Sequence, residues 1–158
     1  MDHAQMAVSV ADPHVAERYW AKIVMVPGSE CAWWSGAISG NGHGRFWLGG
    51  DRVVIAHRFG FALQRGVDAL TQASMLSHGC DNPLCQLVHP EHVRPATASE
   101  NRREWAARRH IAGLPLSDPR GSRRRAQTHR DLLRQDPALV RRDQDGLVAR
   151  TGRQMPLF

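Results

Sequence analysis

The stretch from His78 to His92 constrains this chain more than any other. In fifteen residues it holds two of the three cysteines and three of the nine histidines. Between Cys80 and Cys85 lies Asp81-Asn82-Pro83, a turn-forming run that can fold two sulfurs toward one point. His92 follows seven residues after Cys85, and Cys31 lies far upstream. Three thiolates and one imidazole make a closed tetrahedral Cys₃His set, the pattern of a structural Zn²⁺. His89 is a rival for the fourth position. Three cysteines are too few and odd in number for a disulfide framework, so thiolates held on a metal in a reducing compartment are the more natural reading.

The surrounding sequence punctuates itself clearly. Residues 1–13 are small and polar and read as a flexible terminus. Asp12 as N-cap and Pro13 at the first helical position open a helix, and Val15, Tyr19, Ile23 and Val26 recur at helical spacing until Pro27-Gly28. Cys31 to Gly36 is aromatic and strand-like. Arg45–Leu48 and Arg52–Ala56 flank Gly49-Gly50-Asp51 and predict a hairpin. A helix follows from His57 to Gln64, ended by Gly66. Short strands are expected at Ser74–Ser77 and Val93-Arg94. Thr97-Ala98-Ser99-Glu100 is a capping box, which starts a helix through Trp105 toward Gly113. The expectation is an α+β fold with an N-terminal helix, a β-hairpin and a zinc site over residues 14–113. A basic helical extension follows over 114–142, broken at Asp136-Pro137, and a flexible tail over 143–158.

Charge is unevenly spread. Of 21 basic residues 20 are arginine; residues 1–101 carry a net charge of −2 and residues 102–158 one of +8. Such a segment calls for a polyanionic partner, and arginine suits bidentate phosphate contacts. Arg102 and Arg109 are seven apart, on one helical face beside Asn101. With Arg103 and the run Arg123, Arg124 and Arg125 they read as a clamp on the DNA backbone. No apolar run of about 18 residues marks a membrane span, and no basic start followed by an apolar stretch marks a Sec signal. The expected location is the cytoplasm.

His78 stands two residues before Cys80, on the loop a zinc ion would stiffen. Asn101 stands near the start of the capped helix, and its amide oxygen is a hard donor suited to Mg²⁺ rather than Zn²⁺. A histidine near a hydrated Mg²⁺, or Mn²⁺, is what phosphodiester hydrolysis requires. An unshifted imidazole, with a pKa of roughly 6.5, is largely neutral at pH 7 and can take a proton from water.

Taken together, Ser77-His78-Gly79-Cys80 through Cys85, Pro90-Glu91-His92-Val93 and Glu100-Asn101 resemble the HNH, or His-Me finger (ββα-metal), nucleases. The likeness is to the zinc-containing branch found in phage genes and some homing endonucleases. Upstream, Arg18-Tyr19-Trp20-Ala21-Lys22-Ile23 resembles that branch's RFWxKV, and Cys31 to Ala37 its CWxWxGA. Gly42-His43-Gly44-Arg45-Phe46 resembles GYGRF, and Ala56-His57-Arg58 resembles AHR. The resemblance covers about residues 15–111. It implies a ββα-metal core, His78 as general base and Asn101 as protein ligand to a catalytic Mg²⁺. It also implies Cys31, Cys80, Cys85 and His92 on a structural zinc, with Arg45 or Arg52 touching the scissile phosphate. The expected products are a 5′-phosphate and a 3′-hydroxyl. The chain departs from the usual CxNPxHL: two residues are inserted after Cys85, and His89 stands where the asparagine would be.

The last residues, Gln154-Met155-Pro156-Leu157-Phe158, resemble the pentapeptide by which bacterial replication and repair proteins dock on the sliding clamp. Leu157 and Phe158 would fill an apolar pocket while Gln154 and Met155 lie along it. The sequence therefore supports an Mg²⁺-dependent HNH DNA endonuclease, nicking as a monomer or cutting both strands as a homodimer. The alternative is a catalytically inactive, zinc-stabilised DNA-binding adaptor that docks on the clamp.

Overall fold

Three separate pairs of short antiparallel strands, with helices between and after them, make up residues 3–152, which the computed structural model describes. The fold is α+β. The pentapeptide 154–158 lies outside the described residues.

The chain begins with α1 (His3–Ala11) and α2 (Pro13–Trp20). Asp12 caps α2, its Oδ1 accepting from the His14 N–H at 2.9 Å. The sequence reads residues 1–13 as a flexible terminus, but His3–Ala11 within them is helical and its Met6 is buried in the core. A helix of nine residues is marginal alone; packing against α3 (Ala56–Arg65) and α4 (Val67–Gln72) holds it.

The apolar spacing that predicts a helix as far as Val26 is broken in the structure. Ile23–Met25 forms β1, antiparallel to β2 (Ala32–Trp34), with Ile23 opposite Trp34. The β-branched pair Ile23-Val24 fits a strand facing two tryptophans better than another helical turn. Pro27-Gly28 is then a hairpin turn, and Gly28 supplies the required positive φ of 73°.

The predicted second hairpin is β3 (Arg45–Gly49) and β4 (Arg52–Ile55), with a bulge between Trp47 and Gly49. β5 (Met75–His78) pairs with β6 (Val93–Ala96), placing His78 opposite Val93. Pro95 lies within β6. Directly after it comes α5 (Ala98–Arg108), opened by the full capping box. Thr97 Oγ1 accepts from the Glu100 N–H at 3.1 Å, and Glu100 Oε2 accepts from the Thr97 N–H at 2.7 Å.

An aromatic cluster of Tyr19, Trp34, Phe46 and Phe59 forms the centre of the core, with Tyr19 and Trp34 centroids 5.5 Å apart and Phe46 and Phe59 4.9 Å apart. The Tyr19 hydroxyl donates to Gln86 Oε1 at 3.0 Å, joining α2 to the cysteine loop. Burial pushes that phenol well above its ordinary pKa, so it stays a donor.

The last third departs most from the sequence reading. Residues 114–125, expected as a linker, contain a 3₁₀ turn at Pro115–Ser117 and the start of α6 (Gly121–Gln135). α7 (Pro137–Gly152) extends through residues expected to form a flexible tail. The break at Asp136-Pro137 stands where predicted. Ala126, Leu133 and Val140 of this helical pair belong to the main core.

An ionic network fastens the pair. Arg120 Nη2 lies 2.6 Å from Asp118 Oδ2 and 2.7 Å from Asp143 Oδ2, and His129 Nε2 lies 2.9 Å from Asp143 Oδ2. Burial raises both carboxyl pKa values, but hydrogen bonds from Arg120, and from His129 at Asp143, outweigh it and leave both below the usual value. A carboxylate with a lowered folded pKa stabilises the fold above the unfolded value and ceases to as pH falls through the folded one. Acidification below about pH 4 is therefore expected to loosen α6 and α7. Because the Trp33 and His129 ring centroids are 5.4 Å apart, Trp33 fluorescence should report it. An acid transition of the same size and midpoint in Asp143→Asn would refute this account.

Candidate metal centre and the adjoining cavity

The loop between β5 and β6 is held by main-chain bonds at both ends. The Gly79 N–H donates to the His92 carbonyl at 2.8 Å, and the Cys85 N–H to that of Asn82 at 3.0 Å. Its middle runs along β2: the Gln86 N–H donates to the Ala32 carbonyl at 2.7 Å and the Trp34 N–H to that of Leu84 at 2.9 Å. This pairing brings Cys85 beside Cys31. Residue 79 must be glycine, because a Cβ there would lie 2.5 Å from the Glu91 carbonyl oxygen.

The result is a compact donor set. The sulfurs of Cys31, Cys80 and Cys85 and a ring nitrogen of His92 all lie within 4.8 Å of one another. His92 Nδ1 is 3.6 Å from Cys31 Sγ and 3.5 Å from Cys85 Sγ. A tetrahedral zinc centre with ordinary bond lengths needs N···S separations of about 3.5 Å. The four residues can therefore hold a metal such as zinc. His89 is outside the set: it is exposed, and its Nδ1 accepts from the Glu91 N–H at 3.3 Å. Electrostatics favour a cation here. Hydrogen bonds from Cys80 and Cys85 push the Cys31 thiol far down, while Cys31 pushes Cys80 and Cys85 up. Three sulfurs this close cannot all ionise unless a positive charge joins them.

Beside this centre lies a cavity of about 320 Å³ whose lining includes His43, His78, Asn101, Trp105 and Arg125. His78 Nε2 is 3.2 Å from the carbonyl oxygen of Cys85. A carbonyl only accepts, so Nε2 carries the proton and Nδ1 keeps its lone pair. Burial, reinforced by His43, pushes His78 down to about 4, against the raising effect of that hydrogen bond. The imidazole is thus neutral at pH 7. The same cysteine whose sulfur joins the donor set also orients this histidine.

Asp81 fixes the loop from the other side, with a φ of 54°. Arg108 of α5 grips its carboxylate through Nε and Nη2 at 2.8 and 2.9 Å, and Arg125 Nη2 donates to its carbonyl at 2.7 Å. Arg125 was expected as a surface contact to DNA, yet it is only 3% exposed. It shares the inward stripe of α6 with Ala126, His129 and Leu133. Arg102 and Arg103 are exposed on α5 and Arg109 just past its end, lying 4.4 Å above the Trp105 ring, and Arg123 and Arg124 are exposed on α6. Arg45 and Arg52 do not line the His78 cavity: Arg45 lines two others, and Arg52 is exposed at the hairpin tip. Arg108 and Asp81 escaped the sequence reading because nothing in the spacing pairs an arginine with an aspartate 27 residues upstream.

Fold and donor set together define a small α+β protein with a Cys₃His cluster able to hold a metal such as zinc. The chain is similar to protein 2.8 of Escherichia phage T7, with 34% identity over 97 residues, which are 60% of this chain and 63% of that protein. It thus spans less than two thirds of that relative's length. No family model matches the chain, and no solved structure matches it. Among the described residues no helix is long and apolar enough to cross a membrane.

Proposed function

We propose that the chain is a metal-dependent DNA endonuclease of the HNH type, with zinc on Cys31, Cys80, Cys85 and His92 as its structural centre and β5, β6 and α5 as its ββα-metal core. The observation that carries this reading is that His78 and Asn101 line one cavity, with His78 held by the Cys85 carbonyl so that Nδ1 keeps its lone pair. Similarity to a phage protein agrees with a role in a phage-infected bacterial cell.

In this reading His78 Nδ1 takes a proton from a water molecule, whose oxygen attacks phosphorus. The bond from phosphorus to the 3′ oxygen breaks, leaving a 5′-phosphate and a 3′-hydroxyl. A divalent cation such as Mg²⁺ or Mn²⁺, held through the Asn101 amide oxygen, would neutralise charge on the phosphate and the leaving oxygen. Arg125 places positive charge at the cavity wall, and the exposed arginines of α5 and α6 hold the flanking backbone. Binding should therefore weaken steeply with salt.

The test is conversion of supercoiled plasmid by zinc-loaded protein, with Mg²⁺ and with EDTA. Open circles in Mg²⁺ alone are expected of a nicking monomer, and direct linear product of a dimer making paired cuts. No conversion in Mg²⁺ or Mn²⁺, by protein that retains zinc and binds DNA, would overturn the reading.

A further inference from the structure

A second cluster of metal-ligating side chains lies beside the first. His43 comes from the loop before β3, His57 from the first turn of α3 and His78 from the end of β5. Their ring centroids are 4.5 Å apart for His57 and His78, 5.3 Å for His43 and His57, and 5.5 Å for His43 and His78. One ring nitrogen from each lies within 4.8 Å of the other two. Nδ1 of His43 and Nδ1 of His57 are buried and have no hydrogen-bond partner among the described residues. Buried ring nitrogens normally find one. His78 spends Nε2 on the Cys85 carbonyl, so its Nδ1 is the atom it can offer.

Three neutral imidazoles without a carboxylate or thiolate suit borderline transition ions such as Zn²⁺, Ni²⁺ or Cu²⁺, and not the oxygen-seeking Mg²⁺. A His₃ centre needs N···N separations of about 3.3 Å, so the rings must draw together on binding. The fourth coordination position would face the cavity that His43 and His78 line.

We infer that His43, His57 and His78 form a second metal site, separate from the Cys₃His centre, which takes a borderline divalent transition ion. Occupation engages His78 Nδ1 and so withholds it from hydrolysis. That inhibitory consequence rests on the nuclease reading; the metal site does not.

The experiment uses the full chain with zinc already on its cysteines, titrated with Ni²⁺ and freed of excess by gel filtration. The expected result is one nickel bound per chain beside one retained zinc, with ligand-field absorption and no thiolate-to-nickel charge transfer. His43→Phe and His57→Gln should each keep the zinc and bind nickel more weakly by well over the roughly 10- to 100-fold that loss of an outer-shell partner costs. If His57→Gln fails to fold, shown by lost zinc, the half-buried His43 still decides. Absence of nickel from the wild-type chain, displacement of its zinc with a charge-transfer band, or unchanged affinity in His43→Phe would each overturn the site. In the plasmid assay, Ni²⁺ should stop Mg²⁺-dependent cleavage, and His43→Phe should need more nickel by the same factor by which its nickel affinity falls, judged against its own nickel-free rate. Equal sensitivity would overturn the inhibition. Nickel binding by a chain that cuts nothing would leave the site standing and defeat the nuclease reading instead.

Discussion

Replacing Cys85 by serine is expected to unfold the middle of the chain, not merely to lower its zinc content. The Cys85 sulfur sits with Cys31, Cys80 and His92, and its neighbours Leu84 and Gln86 pair with β2. Structural zinc contributes about 10–16 kcal/mol in small zinc-finger peptides at neutral pH. The net stability of a typical domain is only about 5–15 kcal/mol. Were the four donors to hold zinc, its loss would be comparable with the whole margin, even though this chain also has an aromatic core. Thermal unfolding followed by tryptophan fluorescence, with zinc measured on the same samples, should show a large fall in Tm for Cys85→Ser. The wild type treated with a strong chelator should fall likewise and recover when zinc is returned. His89→Ala should change neither Tm nor zinc content. An unchanged Tm after complete zinc removal would sink the structural role.

The second large effect is at His78. On the nuclease reading, His78→Ala should lower cleavage by about 10²–10⁴-fold, the ordinary worth of a positioned general base. DNA affinity at fixed salt should be unchanged, because the flanking arginines are on other elements. Zinc should be retained, since His78 is not one of the four donors. Alanine also leaves the Cys85 carbonyl without its donor. His78→Gln, which can still donate, separates loss of the base from disturbance of the loop and should be equally inactive. Wild-type cleavage rates in both variants would remove His78 from the chemistry.

What was legible in the sequence was what local chemistry dictates. The Asp12 cap, the Thr97–Glu100 capping box, the Gly49-Gly50 hairpin and the Asp136-Pro137 break each depend on residues a few positions apart. The donor set was legible for a different reason: only three cysteines exist, and all three are used. His92 was legible through the resemblance; its rival His89, also within reach of Cys85 along the chain, is set aside by the loop's path, which leaves it exposed and outside the set. The misread elements were decided by packing. Ile23 and Val24 fit a helix by spacing and a strand by partner. The arginine-rich 114–142 looked solvated because its inward stripe of Ala126, His129 and Leu133 is thin and contains a histidine. Arg125 turned inward for the same reason. The arrangement of His43 and His57 against His78 brings together three distant stretches, which no spacing rule connects.

The order in which the parts are made has its own consequence. A ribosome releases the chain from the N-terminus onward. All four donors of the cysteine cluster have been synthesised once His92 is in place. Ser122 and Arg125, which line the His78 cavity, and Ala126, Leu133 and Val140 of the core arrive afterwards. Translation thus provides metal ligands first and the cavity's last wall later. A nascent chain would present its four donors to a metal such as zinc while its core is still open, and the cavity beside them is completed only as the final third emerges.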